Sequence, residues 1–253
     1  KRRPERRFLN RCCKEPERGE GMKNVLGIMG GMGPLATQLF YKMLIEHTVA
    51  EKDQDHINVL IIGDASMPDR TEAILSGNTE PVHAQLLQNL ETIAAYGCKA
   101  AAVPCNTSHY FLERLEREVS IPIINMIKES AREVAKTCRG ERVGVLATDG
   151  TIKTELYQKS LLAEGVVPYV PGDAGQKLVM HEIYNCVKRG KPVDDAAWSK
   201  VQQELIDSGC RKAILACTEL SVIKEEKKLS DYYIDAMEVL AVRSIEYMGK
   251  RVK

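Results

Sequence analysis

The sequence predicts an α/β fold of two pseudo-symmetric domains, each a mostly parallel four-stranded sheet flanked by helices, with the site in the crevice between them. Three observations predict it. Short β-rich runs alternate with longer helical patterns, the signature of a parallel sheet. Those runs are mostly continuous in apolar residues, as strands covered on both faces should be. The whole pattern also runs twice: VLGIMGGMG (25–33) resembles RVGVLATDG (142–150), and AAAVPCNTSHY (100–110) resembles KAILACTELSV (212–222).

In the first half, strands are expected at VLGIMG (25–30), INVLIIG (57–63), KAAAVP (99–104) and PIINM (122–126). Helices are expected at 35–50, 79–96, 108–118 and 127–138; Pro34 suits a first helical position. In the second half, strands are expected at RVGVLA (142–147), VVPYV (166–170), KAILA (212–216) and YYIDA (232–236). The matching helices fall at 152–164, 174–189, 194–208 and 237–249. Residues 22–126 with 231–253 make the first domain, and 127–230 the second. Residues 1–21 hold eight basic and four acidic residues without an apolar period, so they read as a mobile leader, and the fold is expected to begin at Met22.

Across 253 residues, 36 Lys+Arg balance 35 Asp+Glu, which excludes nucleic acid or an anionic membrane surface as the main partner. No run is long and apolar enough to span a bilayer. Eight cysteines without a regular framework read as thiols of a cytoplasmic protein. No CxxC or histidine spacing suggests a metal.

Two of those cysteines stand apart. Cys105 lies 78 residues after Gly27, and Cys217 lies 73 after Gly144, so they occupy equivalent places in the two halves. Two facing α/β units bring the C-terminal ends of both sheets to one crevice. Each cysteine follows a strand and precedes polar residues that open a helix, whose positive end favours a thiolate and an anionic ligand. A free thiol titrates near ~8.5, so a modest downward shift places it near working pH. A thiol and a thiolate on opposite sides of one carbon can remove a proton from one face and return one to the other, without metal or cofactor. Cys98, Cys138, Cys186 and Cys210 lack that context and read as ordinary buried residues; Cys12 and Cys13 fall in the leader.

GIMGGMGPLAT, PDRT, PCNTSH, LATDGT, QKLVM and ACTELS, in this order, resemble the aspartate racemase branch of the aspartate/glutamate racemase superfamily. The resemblance covers Met22 to the C-terminus. It implies a pyridoxal-phosphate-independent isomerase of two α/β domains, a homodimer acting on a small acidic amino acid. It implies that Cys105 and Cys217 are the paired proton donor and acceptor. Substrate contacts would fall on Met32, Arg70, Asn106, Thr107, Lys177 and Thr218. Glu219 stands where glutamate racemases carry a His, which favours aspartate. Two substrate carboxylates need cationic partners, and Arg70 offers a bidentate fork where Lys177 offers a point charge. Asn106, Thr107 and Thr218 could equally cap helices.

Rival readings rest on other residues. Gly31-Met-Gly33-Pro-Leu-Ala36 fits a GxGxxA dinucleotide turn, with Asp64 as its acidic partner. Cys105 and His109, four apart, could form a hydrolase pair. A one-cysteine decarboxylase or a maleate-type isomerase of the same superfamily is a third reading; the presence of both cysteines speaks for racemisation.

Overall fold

The computed structural model describes residues 24–253, so the leader, Cys12 and Cys13 lie outside the described residues. Two four-stranded sheets form, with every pairing parallel. The first contains β1 (Val25–Gly30), β2 (Asn58–Gly63), β3 (Ala100–Ala102) and β4 (Ile123–Ile124), in the order β2-β1-β3-β4. The second contains β5 (Arg142–Leu146), β6 (Val167–Tyr169), β7 (Lys212–Leu215) and β8 (Tyr233–Asp235), in the same relative order, β6-β5-β7-β8. All eight expected runs are strands, and most lose a residue or more at their ends. Central strand β1 is buried throughout, which its unbroken apolar sequence requires; β2, at the sheet edge, is half-exposed.

The helices are α1 (Pro34–His47), α2 (Arg70–Ser76), α3 (Glu80–Tyr96), α4 (Leu112–Glu118), α5 (Met126–Cys138) and α6 (Asp149–Thr154). They continue with α7 (Leu156–Ala163), α8 (Asp173–His181), α9 (Asp195–Asp207), α10 (Thr218–Lys227) and α11 (Ala236–Tyr247). Pro34 does take the first position of α1. Four differences from expectation matter. Helix α2 is additional: Asp69 caps it by accepting from the Glu72 amide at 2.9 Å, and Gly77 ends it at φ 82°. The segment after Cys105 begins as a 3₁₀ stretch, Thr107–Phe111, before α4. The expected helix 152–164 is divided at Glu155, whose φ is 56°. The expected helix 174–189 is α8 followed by a π turn, Glu182–Cys186, and a 3₁₀ turn, Val187–Arg189.

Among the described residues, three apolar cores hold these layers. One lies on the seam and mixes both halves: Leu26, Phe40 and Ala102 pack with Val143, Tyr157 and Ile214. The other two lie on the outer faces, around Leu86 and Ile93 in the first half and around Trp198 and Leu205 in the second. Each fully buried aliphatic side chain contributes about 1.5–3 kcal/mol relative to exposure. The expected return to the first domain at 231 is corrected to a point after Asp235, because Tyr233–Asp235 pair with β7. Helix α11 then crosses the seam and packs on α1 and α5.

Candidate active site

In each sheet the chain winds one way from the first strand and then crosses to its other side. The switch points therefore fall between β1 and β3, and between β5 and β7. The loops after these four strands carry the Gly-rich turn, Cys105, Thr148 and Cys217. The first turn is held tightly. Gly31 has φ 91°, and a Cβ there would lie 2.3 Å from the Asp64 backbone carbon. Its N–H is already bonded to Thr37 Oγ1 at 2.9 Å.

A pocket of about 260 Å³ opens at this level, lined among others by Met32, Gly33, Arg70, Lys188, Glu219 and Val222. Neither catalytic candidate lines it directly, and each adjoins a residue that does. Cys105, buried, lies beside the Arg70 guanidinium. Cys217, also buried, donates its S–H to Glu219 Oε2 at 3.0 Å.

Arg70 is buried at the start of α2. Its Nη1 donates to the Pro68 carbonyl at 3.0 Å and its Nη2 to that of Met32 at 3.4 Å, while Nε has no partner among the described residues. Burial opposes its charge, but Cys105, Asp69 and Glu219 more than offset it and raise the guanidinium pKa. Lys188 reaches Glu219 at 3.9 Å and Asp69 at 3.8 Å, and lies 4.5 Å from the centre of the Tyr184 ring. Tyr184 donates to Asp69 at 3.0 Å. Asp69, Tyr184 and Lys188 thus tie the first domain to the second beside the pocket.

Burial pushes the Cys217 thiol well up, and the Glu219 carboxylate beside it adds to the shift. The expectation that its helix terminus favours a thiolate is overturned here. Cys217 does stand at the N-cap of α10, but desolvation and a neighbouring negative charge outweigh the dipole.

The remaining expected residues divide. Met32 lines the pocket, and its sulfur accepts from Ser108 Oγ at 3.3 Å. Thr107 reaches across the seam to Thr148 at 3.1 Å and Thr151 at 2.9 Å, closing a triangle of hydroxyls. Asn106 accepts from Tyr157 OH at 2.5 Å and keeps a buried Nδ2 without a partner among the described residues. Thr218 is buried, 3.5 Å from Glu219 Oε2. None of these three caps a helix through its side chain. Lys177 does not join them. It is exposed on α8 and borders a separate depression with Asp149 and Asp173. Lys188 occupies the pocket instead. Eleven residues, about three α-helical turns, would put Lys177 and Lys188 on one face; the wider π turn between them breaks that alignment.

The rivals lose their parts. Asp64 accepts from Ser66 Oγ at 2.6 Å, Asn89 at 2.8 Å and Gln85 at 2.7 Å, bonds that hold its carboxyl down at about 2. With the Gly31 N–H also engaged, the dinucleotide turn has neither a free amide there nor a free acid. Both ring nitrogens of His109 bond to backbone, at Cys105 O (2.9 Å) and Met126 N (3.0 Å), so it is no base for a nucleophile. Cys138, Cys186 and Cys210 are buried and Cys98 is half-buried, all as free thiols.

A sequence model described as Asp/Glu/Hydantoin racemase matches residues 29–243. The chain is 24% identical to the broad specificity amino-acid racemase RacX of Bacillus subtilis, over 87% of this chain and 96% of that one. Among solved structures, Picrophilus torridus aspartate racemase is 30% identical, with a TM-score of 0.75, covering 91% of this chain and 96% of its own. An aspartate racemase homologue from Pyrococcus horikoshii shares the fold at 23% identity and a TM-score of 0.70, covering 90% and 100%. No helix among the described residues is long and apolar enough to cross a membrane.

Proposed function

The chain belongs to the Asp/Glu/hydantoin racemase family, and from that premise we propose that it inverts the α-carbon of a small acidic amino acid, aspartate first, using Cys105 and Cys217. One observation carries the reading. Two buried cysteines follow equivalent central strands of the two sheets, and they adjoin one pocket that also holds Arg70 and Lys188. Arg70 pairs with one substrate carboxylate as a fork, and Lys188 meets the other as a point charge. These cations also stabilise the negative charge that develops when the α-proton leaves. For one enantiomer Cys105 takes that proton and Cys217 supplies its replacement from the opposite face; for the other the roles reverse. At rest Cys217 holds its proton, as its raised pKa requires. Met32, Asn106, Thr107 and Thr218 line or support the position of the α-amino and carboxylate groups. Inversion by two thiols needs only an acceptor and a donor, so no cofactor enters the scheme. Likeness to the aspartate racemase supports an acidic substrate, and likeness to RacX widens the set to be tried. The reading extends to a cytoplasmic homodimer, supported by the free thiols and the family resemblance.

Incubation with individual L-amino acids, without pyridoxal phosphate, followed by chiral separation tests it. D-aspartate should accumulate, and Cys105→Ala and Cys217→Ala should each abolish its formation. Failure to invert any amino acid, or a requirement for added pyridoxal phosphate, overturns the proposal.

A further inference from the structure

The two cysteines are held by different means. Cys217 is the N-cap of α10, and its carbonyl accepts from the Leu220 amide at 2.9 Å, so the helix itself fixes the turn. After Cys105 the chain takes a 3₁₀ path from Thr107, and its first backbone bond runs from the His109 amide to Asn106 O at 3.0 Å. The Cys105 carbonyl is left one residue outside that turn. It is met instead by a side chain, His109 Nδ1, at 2.9 Å. The other ring nitrogen, Nε2, accepts from the Met126 amide at 3.0 Å, the first residue of α5. An amide can only donate, so Nε2 is the bare nitrogen and Nδ1 carries the proton that goes to Cys105 O. One imidazole therefore rivets the Cys105 turn to the start of α5. His109 is 4% exposed, and burial holds its ring neutral, with its pKa lowered to about 4.

The second half uses the equivalent position differently. Ser221, four residues after Cys217 as His109 is four after Cys105, donates to Asp235 at 2.7 Å. Asp235 in turn caps α11, accepting from Met237 N at 2.8 Å. Both halves thus tie the cysteine turn to the next helix start. Only in the first does the tie grip the cysteine's own carbonyl.

We propose that His109 is a positioning residue for Cys105 alone: it sets the Cys105 turn, and so the reach of that thiol to one face of the α-carbon, without exchanging a proton itself. The proposal rests on the two-cysteine reading above. Displacing a reacting group by an ångström can cost about 100-fold in rate. Loss of the grip should therefore slow proton transfer at one face and leave the substrate's carboxylate partners in place.

The test compares His109→Ala, His109→Asn and His109→Gln with wild type, using L- and D-aspartate carrying deuterium at Cα. His109→Asn keeps a donor near the Nδ1 position; His109→Gln reaches only toward Met126. His109→Ala should lower kcat by tenfold or more, on the order expected for a displaced group, with KM nearly unchanged. His109→Asn should restore most of kcat, and His109→Gln should not. In the impaired variants the substrate isotope effect should rise for the enantiomer whose α-hydrogen faces Cys105 and fall toward unity for the other, since one transfer step has become limiting. A general loss of stability would change both directions alike. Equal isotope effects from the two enantiomers, or recovery by Gln rather than Asn, overturns the inference. Cys105→Ala is run beside them. If it still racemises, the two-cysteine reading itself fails; if it is dead while the His109 variants stay symmetric, only the role of His109 fails. Should His109→Ala not fold, the Asn and Gln comparison decides alone.

Discussion

Acid should weaken this fold through one buried imidazole. His109 titrates near 6.5 when the chain is unfolded and near about 4 in the folded protein, because the core disfavours its charge and both nitrogens serve the backbone. A group whose folded pKa is lowered binds more protons in the unfolded state between those two values. Stability therefore falls as pH drops from 6.5, and the contribution is exhausted below 4. A separation of about 2.5 units corresponds to roughly 3 kcal/mol overall, and about 2 kcal/mol of it should be lost between pH 7 and pH 5. His109→Asn removes the titration and keeps the donor to Cys105. Urea midpoints measured for both proteins from pH 7.5 to 4.5 isolate the effect, since every other titrating group is common to the pair. The wild-type advantage should shrink steadily through this window. Parallel stability curves would refute the reasoning, for the imidazole would then be protonated in the folded protein or accessible to water.

Other outcomes follow from the site. Lys188→Ala should cost about 2 kcal/mol in kcat/KM for an acidic substrate, whereas Lys177→Ala should stay within about twofold; equal losses in steady-state assays would restore Lys177 to the site. Glu219→Gln removes the charge beside the Cys217 sulfur, so alkylation of that cysteine, followed peptide by peptide, should reach its half-maximal rate at lower pH than in wild type. No shift would assign the raised thiol to burial alone. Gly31→Ala should destabilise the fold by on the order of 3 kcal/mol or more in a denaturant melt, because it combines a φ of 91° with a clash against the Asp64 backbone. A melt unchanged from wild type would mean that the turn relaxes.

Much of this was legible before any coordinates. Continuous apolar runs give the strands, and the duplicated cysteine motif gives both the two halves and the candidate pair of cysteines, because these signals are local and repeated. Helix α2 escaped because seven residues carry too few apolar positions to show a period, leaving only the Asp69 cap and Gly77 as clues. Lys188 escaped for a different reason. Its placement depends on a π turn, set by how residues 182–186 pack, and the resemblance of QKLVM to the family pointed to Lys177 instead. Glu219 was visible as a departure from histidine. Its effect on Cys217 depends on the folded distance between a thiol and a carboxylate, which adjacency in sequence does not fix.

The seam core has a consequence for how the chain can be divided. Val143, Tyr157 and Ile214 share one apolar cluster with Leu26, Phe40 and Ala102, and α11 leaves the second sheet to lie against α1 and α5. A cut in the turn around Gly140 would therefore give two fragments of similar size, neither with a closed surface. The N-terminal piece would lose the helix that covers α1 and α5, and the C-terminal piece would carry that helix with the face that packs on them laid bare. Each should aggregate when made alone, and the two should recover a folded, thiol-protected complex when made together. The molecule reads as duplicated, but it is held together as one indivisible body.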